Sequence, residues 1–137
     1  MYLSEAKVVV RYAETDKMGI VYHANYLIYF EIGRTEFITN CGMSYSHMEE
    51  IGIMLPVLES SCKYLQGAKY NEELTIKTWI EELSPVKVKF NYSIIREMDG
   101  KELVKGNTLH TFVDNNFKII NLKKKYPEIM NKLAELL

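Results

Sequence analysis

Tyr26-Leu27-Ile28-Tyr29-Phe30-Glu31-Ile32-Gly33-Arg34-Thr35-Glu36-Phe37-Ile38-Thr39-Asn40 is the stretch that decides the fold. Tyr26, Tyr29, Phe30, Gly33 and Phe37 recur at spacings of three and four and so fall on one stripe of a helix. Leu27, Ile28, Ile32 and Ile38 widen that stripe until little polar surface is left beyond Glu31, Arg34, Thr35 and Glu36. A helix apolar on most of its sides is expected to be buried on most of them. Asn40 and Gly42 mark its end, glycine being suited to a left-handed cap. Gly33 inside the helix costs about 1 kcal/mol relative to alanine, which predicts that the helix there lies close against a sheet. Arg34 is expected to pair with Glu31 or Glu36.

On either side of this helix the apolar period changes. Lys7 to Tyr12 is β-branched and short and reads as a first strand. After Pro56, the segments Val57 to Tyr70, Glu73 to Leu83, Val86 to Met98 and Glu102 to Val113 also read as strands. Val86, Val88, Phe90, Tyr92 and Ile94 alternate with Lys87, Lys89, Asn91 and Ser93, the pattern of a sheet with one wet face. Asp99-Gly100 between two such runs signals a hairpin. Asp114-Asn115-Asn116 is a second turn, leading into Phe117 to Ile120. Ser44 to Ile51 fits a short helix, with Ser46 and Glu49 in capping-box spacing. A last helix runs from Pro127 to Leu137, with proline at a permitted first-turn position. A sheet of about five strands has one large apolar face to cover, and one long helix is available to cover it. The expected class is α+β, an antiparallel sheet wrapped around one central helix, in a single domain over residues 1–137.

Composition narrows the function. The chain has 137 residues, 47% hydrophobic and 26% charged, ordinary values for a globular domain that exclude disorder as its main state. A net charge of -1 argues against nucleic-acid binding through bulk electrostatics. No apolar run approaches the roughly 18–20 residues that span a bilayer, and Met1 to Lys7 is not a signal peptide. Cys41 and Cys62 form no CxxC pair, so a reduced, cytoplasmic protein is expected. No His, Cys, Asp and Glu spacing suits zinc or iron, so neither a metal nor another cofactor is expected.

Chemistry concentrates in the loop before the helix, Ala13 to Asn25. Irregular loops of this length are often functional. It carries Asp16, Gly19 and His23, and it ends where the helix begins. A helix start offers N–H groups without intrahelical partners, a ready donor site for a developing oxyanion. A carboxylate beside such donors is what acyl transfer to water requires. The run Asp16-Lys17-Met18-Gly19-Ile20-Val21-Tyr22-His23-Ala24-Asn25-Tyr26, followed by Tyr29-Phe30-Glu31 and Arg34, resembles the active-site segment of the 4-hydroxybenzoyl-CoA thioesterase-like family, in particular its acyl-CoA thioesterase branch typified by bacterial YbgC proteins. The strand layout downstream agrees, so the resemblance extends over nearly the whole chain.

That resemblance implies a hotdog fold, a homodimer or homotetramer with active sites between subunits, and hydrolysis of an acyl-CoA thioester to free acid and coenzyme A. It places the catalytic carboxylate on Asp16, acting as nucleophile or as base toward water. It places the backbone donor to the thioester oxygen on His23, with Gly19 and Tyr22 shaping the approach. Ser60 and Ser61, on the strand that in the family nears the neighbouring subunit's loop, become substrate-site candidates. A thioester suits so spare an apparatus, because sulfur conjugates weakly with the carbonyl and thiolate leaves readily. Plainer readings stand beside these. Asp16 is also a natural turn residue, and the ring of His23 is dispensable if only its N–H acts. Tyr22, Tyr26, Tyr29 and Phe30 suit a core, His47 and His110 a structural role, and Cys62 a buried apolar position. Lys63, Lys69, Lys87, Lys89 and Lys123 to Lys125 are candidates for phosphate contact. Two other functions fit the same architecture: a non-catalytic subunit that binds acyl-CoA or acyl carrier protein, and a dehydratase, whose histidine and carboxylate spacing this segment does not match.

Overall fold

The computed structural model of the protein describes residues 1–137, the side chain of Tyr45 apart. Five strands, β1 (Ser4–Val9), β2 (Val57–Tyr64), β3 (Glu73–Leu83), β4 (Lys87–Arg96) and β5 (Glu102–Thr111), form one sheet in the order β1-β3-β4-β5-β2. Every neighbouring pair is antiparallel. The 16-residue helix α1 (Asn25–Asn40) lies across one face, so that the sheet wraps a single helix, the hotdog arrangement. Among the described residues no helix is long and apolar enough to cross a membrane.

The expected stripe is the buried one. Tyr26, Tyr29, Phe30, Gly33 and Phe37 are all buried, and Ile38 joins them. Phe30 stacks on Tyr92 of β4 with centroids 4.3 Å apart. Phe37 meets Phe90 edge-on at 5.5 Å. Aromatic pairs in these geometries add roughly 0.5–1.5 kcal/mol to the area they bury. Gly33 is where the helix touches β3: a Cβ there would fall 2.5 Å from Thr78 Oγ1 and 2.7 Å from Ile76 Cγ2. The widening of the stripe is not buried, however. Leu27, Ile28 and Ile32 remain 39–53% exposed on the side of α1 away from the sheet. Arg34 turns toward the sheet, and Nη1 donates to the Tyr92 hydroxyl at 3.2 Å.

The boundaries differ from the sequence reading for local reasons. β1 begins at Ser4 and ends at Val9, because Ser4 and Ala6 face α1 opposite Thr78 and Ile76. The backbone then turns at Tyr12–Glu14, where the Glu14 carboxylate accepts the Arg11 N–H at 2.8 Å. β2 stops at Tyr64, since the N–H groups of Leu65 and Gln66 converge on the Leu103 carbonyl. α2 (Tyr45–Glu50) is capped by Ser44 and not by Ser46; the Ser44 hydroxyl accepts the His47 N–H at 3.1 Å. The turn expected at Asp114 is present, its carboxylate accepting the N–H groups of Asn116 and Lys118 ahead of Phe117 to Ile120. The C-terminal helix α4 (Pro127–Ala134) begins at proline as expected and ends three residues early, and a short helix not expected from sequence, α3 (Leu122–Lys125), precedes it. At the Asp99-Gly100 hairpin, Gly100 takes φ +69° and Arg96 clasps Asp99.

His110 is structural, as expected, and its surroundings are specific. It is 1% exposed, with Nδ1 3.1 Å from the Leu55 carbonyl and Nε2 2.7 Å from Thr108 Oγ1. Thr108 Oγ1 in turn lies 2.6 Å from the Tyr92 hydroxyl. One consistent run of donors links them, from Arg34 to Tyr92, to Thr108, to Nε2, with Nδ1–H donating to Leu55. A proton on Nε2 would break that run. Burial, opposed by the Leu55 bond and assisted by the Arg34 charge, pushes the imidazole pKa down to about 4 from 6.5.

Two outcomes follow. Gly33→Ala lowers Tm by roughly 3–8 °C, because overpacking against Thr78 and Ile76 costs about 1–3 kcal/mol and outweighs alanine's helix propensity; calorimetry of the two proteins checks it. The depressed pKa of His110 means that the unfolded chain binds its proton first. The stability it contributes is therefore complete above pH 6.5, falls as pH drops toward 4, and levels off below, a loss on the order of 3 kcal/mol. Urea unfolding across that window shows this slope in the wild type and a reduced one in His110→Gln.

Candidate active site

The loop between β1 and α1 is tied at both ends before any chemistry is considered. Asp16 opens a tight turn: its N–H donates to the Ile20 carbonyl at 2.8 Å and its own carbonyl accepts the Gly19 N–H at 3.0 Å. Its side chain takes part as well, Oδ1 accepting the Met18 N–H at 2.8 Å. Gly19 closes the turn at φ +84°, a conformation that side chains rarely adopt, and nothing crowds the position a Cβ would occupy. Val21 then pairs with Ala68, its N–H donating to that carbonyl at 2.9 Å, and Ile20 packs against Gly67.

Glu14 is the knot of this loop. Its Oε1 accepts the Tyr29 hydroxyl at 2.9 Å and the Arg11 N–H at 2.8 Å. Its carbonyl accepts the Tyr22 N–H at 2.9 Å and the Asn25 side-chain amide at 2.8 Å. Burial alone would raise the carboxyl pKa, but the Arg11 N–H, the Tyr29 hydroxyl and the Arg11 guanidinium together hold it below its ordinary value. Burial, with the Glu14 carboxylate beside it, drives the Tyr29 phenol the other way, well above its usual range. One residue thus fixes both the approach to Asp16 and the segment that begins α1.

At the helix start, Asn25 N–H donates to Tyr22 and Tyr26 N–H to His23. Among the described residues no acceptor takes the N–H of His23 or Ala24. The Tyr64 hydroxyl donates to the His23 carbonyl at 3.3 Å and holds this corner to β2. Asp16 and His23 line the same cleft, of about 300 Å³, walled by Ile20, Tyr26, Tyr64 and Gly67. Its lining mixes apolar side chains, Met18, Ile20, Val21 and Leu65, with a few polar ones, the usual make-up of a small-molecule site.

The residues expected from sequence are placed as follows. Asp16 is half-buried and His23 exposed, brought to one cleft by the turn. Gly19 shapes the turn. Tyr22, a candidate for shaping the approach with a core position as the plainer alternative, does not line the cleft and is not core: it is 48% exposed, its ring 4.5 Å from that of His23. Ser60 and Ser61 lie along β2 and do not line the cleft; Ser61 opens instead on the outer face of the sheet. Cys62 is half-buried, and burial raises its thiol pKa. The candidate lysines do not surround the cleft, and Lys89 pairs with Glu81 at 3.2 Å. Sequence reasoning passes over Glu14 and Tyr64 and reads Tyr26 only as core, which it is, while its hydroxyl accepts the Ala68 N–H beside the cleft. The one signal for Glu14 is a second carboxylate two residues before Asp16.

A double-mutant cycle tests the knot. Unfolding of Tyr29→Phe, Glu14→Ala and the double variant yields a coupling of about 1.5–3 kcal/mol, the worth of a hydrogen bond to a charged group. Simple additivity would mean that the two side chains stabilise the loop independently.

With this geometry in place, likenesses to known proteins are informative. Residues 10–136 match the thioesterase-like superfamily. A putative acyl-CoA thioesterase YneP of Bacillus subtilis (strain 168) is 40% identical over 129 residues, 93% of either chain. A putative esterase of Aquifex aeolicus (strain VF5) is 35% identical over 121 residues, 88% of this chain and 92% of the other. Among solved structures, a DHNA-CoA thioesterase from Staphylococcus aureus superposes with a TM-score of 0.94 at 34% identity, covering 98% of this chain and 91% of that one.

Proposed function

Because the chain belongs to the thioesterase-like superfamily and is a thioester hydrolase, we propose that its reaction is hydrolysis of an acyl-CoA, with Asp16 as the catalytic carboxylate. The observation that carries this is the shared cleft: Asp16 and His23, whose N–H at the helix start takes no acceptor among the described residues, line the same 300 Å³. The Met18 N–H occupies Oδ1 of Asp16, which leaves Oδ2 as the oxygen that attacks the thioester carbonyl or takes a proton from water. The carbonyl oxygen, as it gains negative charge, is met by the N–H of His23 or Ala24, reinforced by the positive end of α1. The carbon–sulfur bond breaks, and coenzyme A leaves as thiolate and gains a proton. Water supplies the remaining oxygen of the product acid. In this reading Gly19 and Tyr22 shape the entry, the imidazole of His23 lies beside the substrate, and no metal or cofactor is needed.

The protein works as a homo-oligomer in this proposal. Leu27, Ile28 and Ile32 form an uncovered apolar strip on α1, and Val57 and Leu58 are half-exposed on the open edge strand β2. A second copy covering them would wall the cleft and bring its own β2, with Ser60 and Ser61, toward the substrate.

Thiol release from a panel of acetyl-, butyryl-, hexanoyl-, palmitoyl-, benzoyl- and 4-hydroxybenzoyl-CoA tests the reading. Wild-type protein turns over at least one of them, and Asp16→Asn, folded and with unchanged Tm, loses at least about 10²-fold in kcat, the scale of losing one group that acts on the transition state. Wild-type turnover in Asp16→Asn would remove Asp16 from the mechanism. Silence from folded wild-type protein, together with thermal stabilisation by acyl-CoA, would make it a binding subunit.

A further inference from the structure

On the face of the sheet turned away from α1, Trp79, Asn91, Asn107 and Ser61 stand in direct register across β3, β4, β5 and β2. Two residues along, Lys105 of β5 stands directly opposite Lys63 of β2. These side chains border a groove of about 540 Å³. Cross-strand partners hold their Cβ atoms about 4.5–5.5 Å apart, where like charges destabilise the sheet. Neither lysine has an ion-pair partner among the described residues. The groove's carboxylates do not supply one: Glu81 is paired with Lys89, and Glu102 accepts the Ser93 hydroxyl. A lysine on an edge strand is a common guard against mispairing, which accounts for Lys63. It does not account for Lys105, one strand further in. Beside this unneutralised pair lies a floor of uncharged amides and the half-exposed indole of Trp79, the only tryptophan of the chain.

We propose that this groove binds a nucleotide carrying at least two phosphate charges, the Lys63 and Lys105 ammoniums taking the phosphates and Trp79 with Asn91 and Asn107 taking the base. The cation pair calls for an anion of more than one charge, since a single charge leaves one lysine against the other. The indole and the amides select for a flat, hydrogen-bonding group joined to that anion: aromatic faces stack on bases of any identity, and amides satisfy their edges. Nucleotides meet all three demands, and the groove's size is in the range of small-molecule sites. Two sources share this chemistry, a free nucleotide and the nucleotide end of coenzyme A. Binding itself does not rest on the reaction proposed above; only its attribution to the substrate's tail does.

The single tryptophan makes the test direct. Emission of Trp79 in the full chain is titrated with adenosine 3′,5′-bisphosphate, ADP, coenzyme A and adenosine, at low and moderate salt. The phosphorylated ligands quench saturably and more weakly at higher salt, while adenosine does not. The Lys63→Ala, Lys105→Ala double variant loses at least about 10-fold in affinity, one phosphate contact's worth, while its Tm holds or rises as the like-charge pair is relieved. No saturable change, equal affinity in the double variant, or emission that tracks protein concentration instead of nucleotide would overturn the proposal, the last by placing a second copy in the groove. Steady-state kinetics then separate the sources. A KM for acyl-CoA raised more than kcat is changed assigns the groove to the substrate's tail. An unmoved KM beside lost nucleotide affinity assigns it to a free nucleotide. If no acyl-CoA is hydrolysed at all, the titration still decides the groove, so the two readings fail separately.

Discussion

The contact between Gly33 and β3 is the constraint on which the rest of this structure hangs. With no side chain in the way, the backbone of α1 comes within reach of Ile76 and Thr78, and the aromatic residues one turn to either side can then reach the sheet. Phe30 lies flat on Tyr92 and Phe37 meets Phe90. A helix held further off would leave those rings short of their partners. The closeness has a cost, visible in the Thr78 hydroxyl, which is fully buried with no hydrogen-bond partner among the described residues. An unmade bond of that kind costs about 1–3 kcal/mol, and close packing of the aromatic layer offsets it. Position along the helix follows: once Gly33 is seated, the helix start is fixed near the Tyr64 end of β2.

The loop then uses that fixed point. Tyr29, buried by the same packing, presents its hydroxyl to Glu14, so the core itself holds the carboxylate that organises the loop. Glu14 acts in two ways. Its side chain joins the start of the loop to α1, and its carbonyl receives Tyr22 and Asn25 from the loop's end. Asp16 lies two residues beyond this knot and the open N–H groups of His23 and Ala24 lie just after it. The Asp16 carboxylate and these donors are therefore held by a ring of hydrogen bonds through the Glu14, Tyr29 and Asn25 side chains, the Glu14 carbonyl and the Met18 N–H, which together stiffen the loop. Such stiffness is what pre-organised electrostatics needs, since donors already in place need not reorganise as charge develops.

Much of this was legible in the sequence. The stripe from Tyr26 to Phe37, the role of Gly33, four of the strands and the Asp99-Gly100 hairpin follow from periodicity and from what glycine permits. The segment from Asp16 to His23 could be singled out because carboxylate, glycine and helix start occur close together in the chain. What could not be read depends on partners remote in sequence. Glu14 and Tyr29 are fifteen residues apart and nothing in either marks the pair. The β-branched run places β1 three residues late because Ser4 and Ala6, the small residues that face the helix, carry no strand signal of their own. Leu27, Ile28 and Ile32 were expected to be buried because hydrophobic patterning reports what must leave water, not which surface covers it. In a single chain, sheet covers one side of α1 and nothing covers the other.

The two faces of the sheet pose opposite electrostatic problems, and the residues differ accordingly. On the inner face the imidazole of His110 is held neutral by burial, and its Nε2 accepts at the end of a run of hydroxyl donors that starts at the Arg34 guanidinium. Polar groups there are spent on one another, because an uncompensated charge in that layer would cost several kcal/mol. On the outer face, water tolerates charge, and charges need not be paired to be kept. Lys63 against Lys105 is affordable there and would be ruinous one residue along, where Cys62 and Gly106 face the helix layer. The two-residue period of the strands is what lets one sheet carry both environments. The cleft lined by Asp16 and His23 lies at the start of the helix, and the groove lined by Lys63 and Lys105 lies on the sheet's other face.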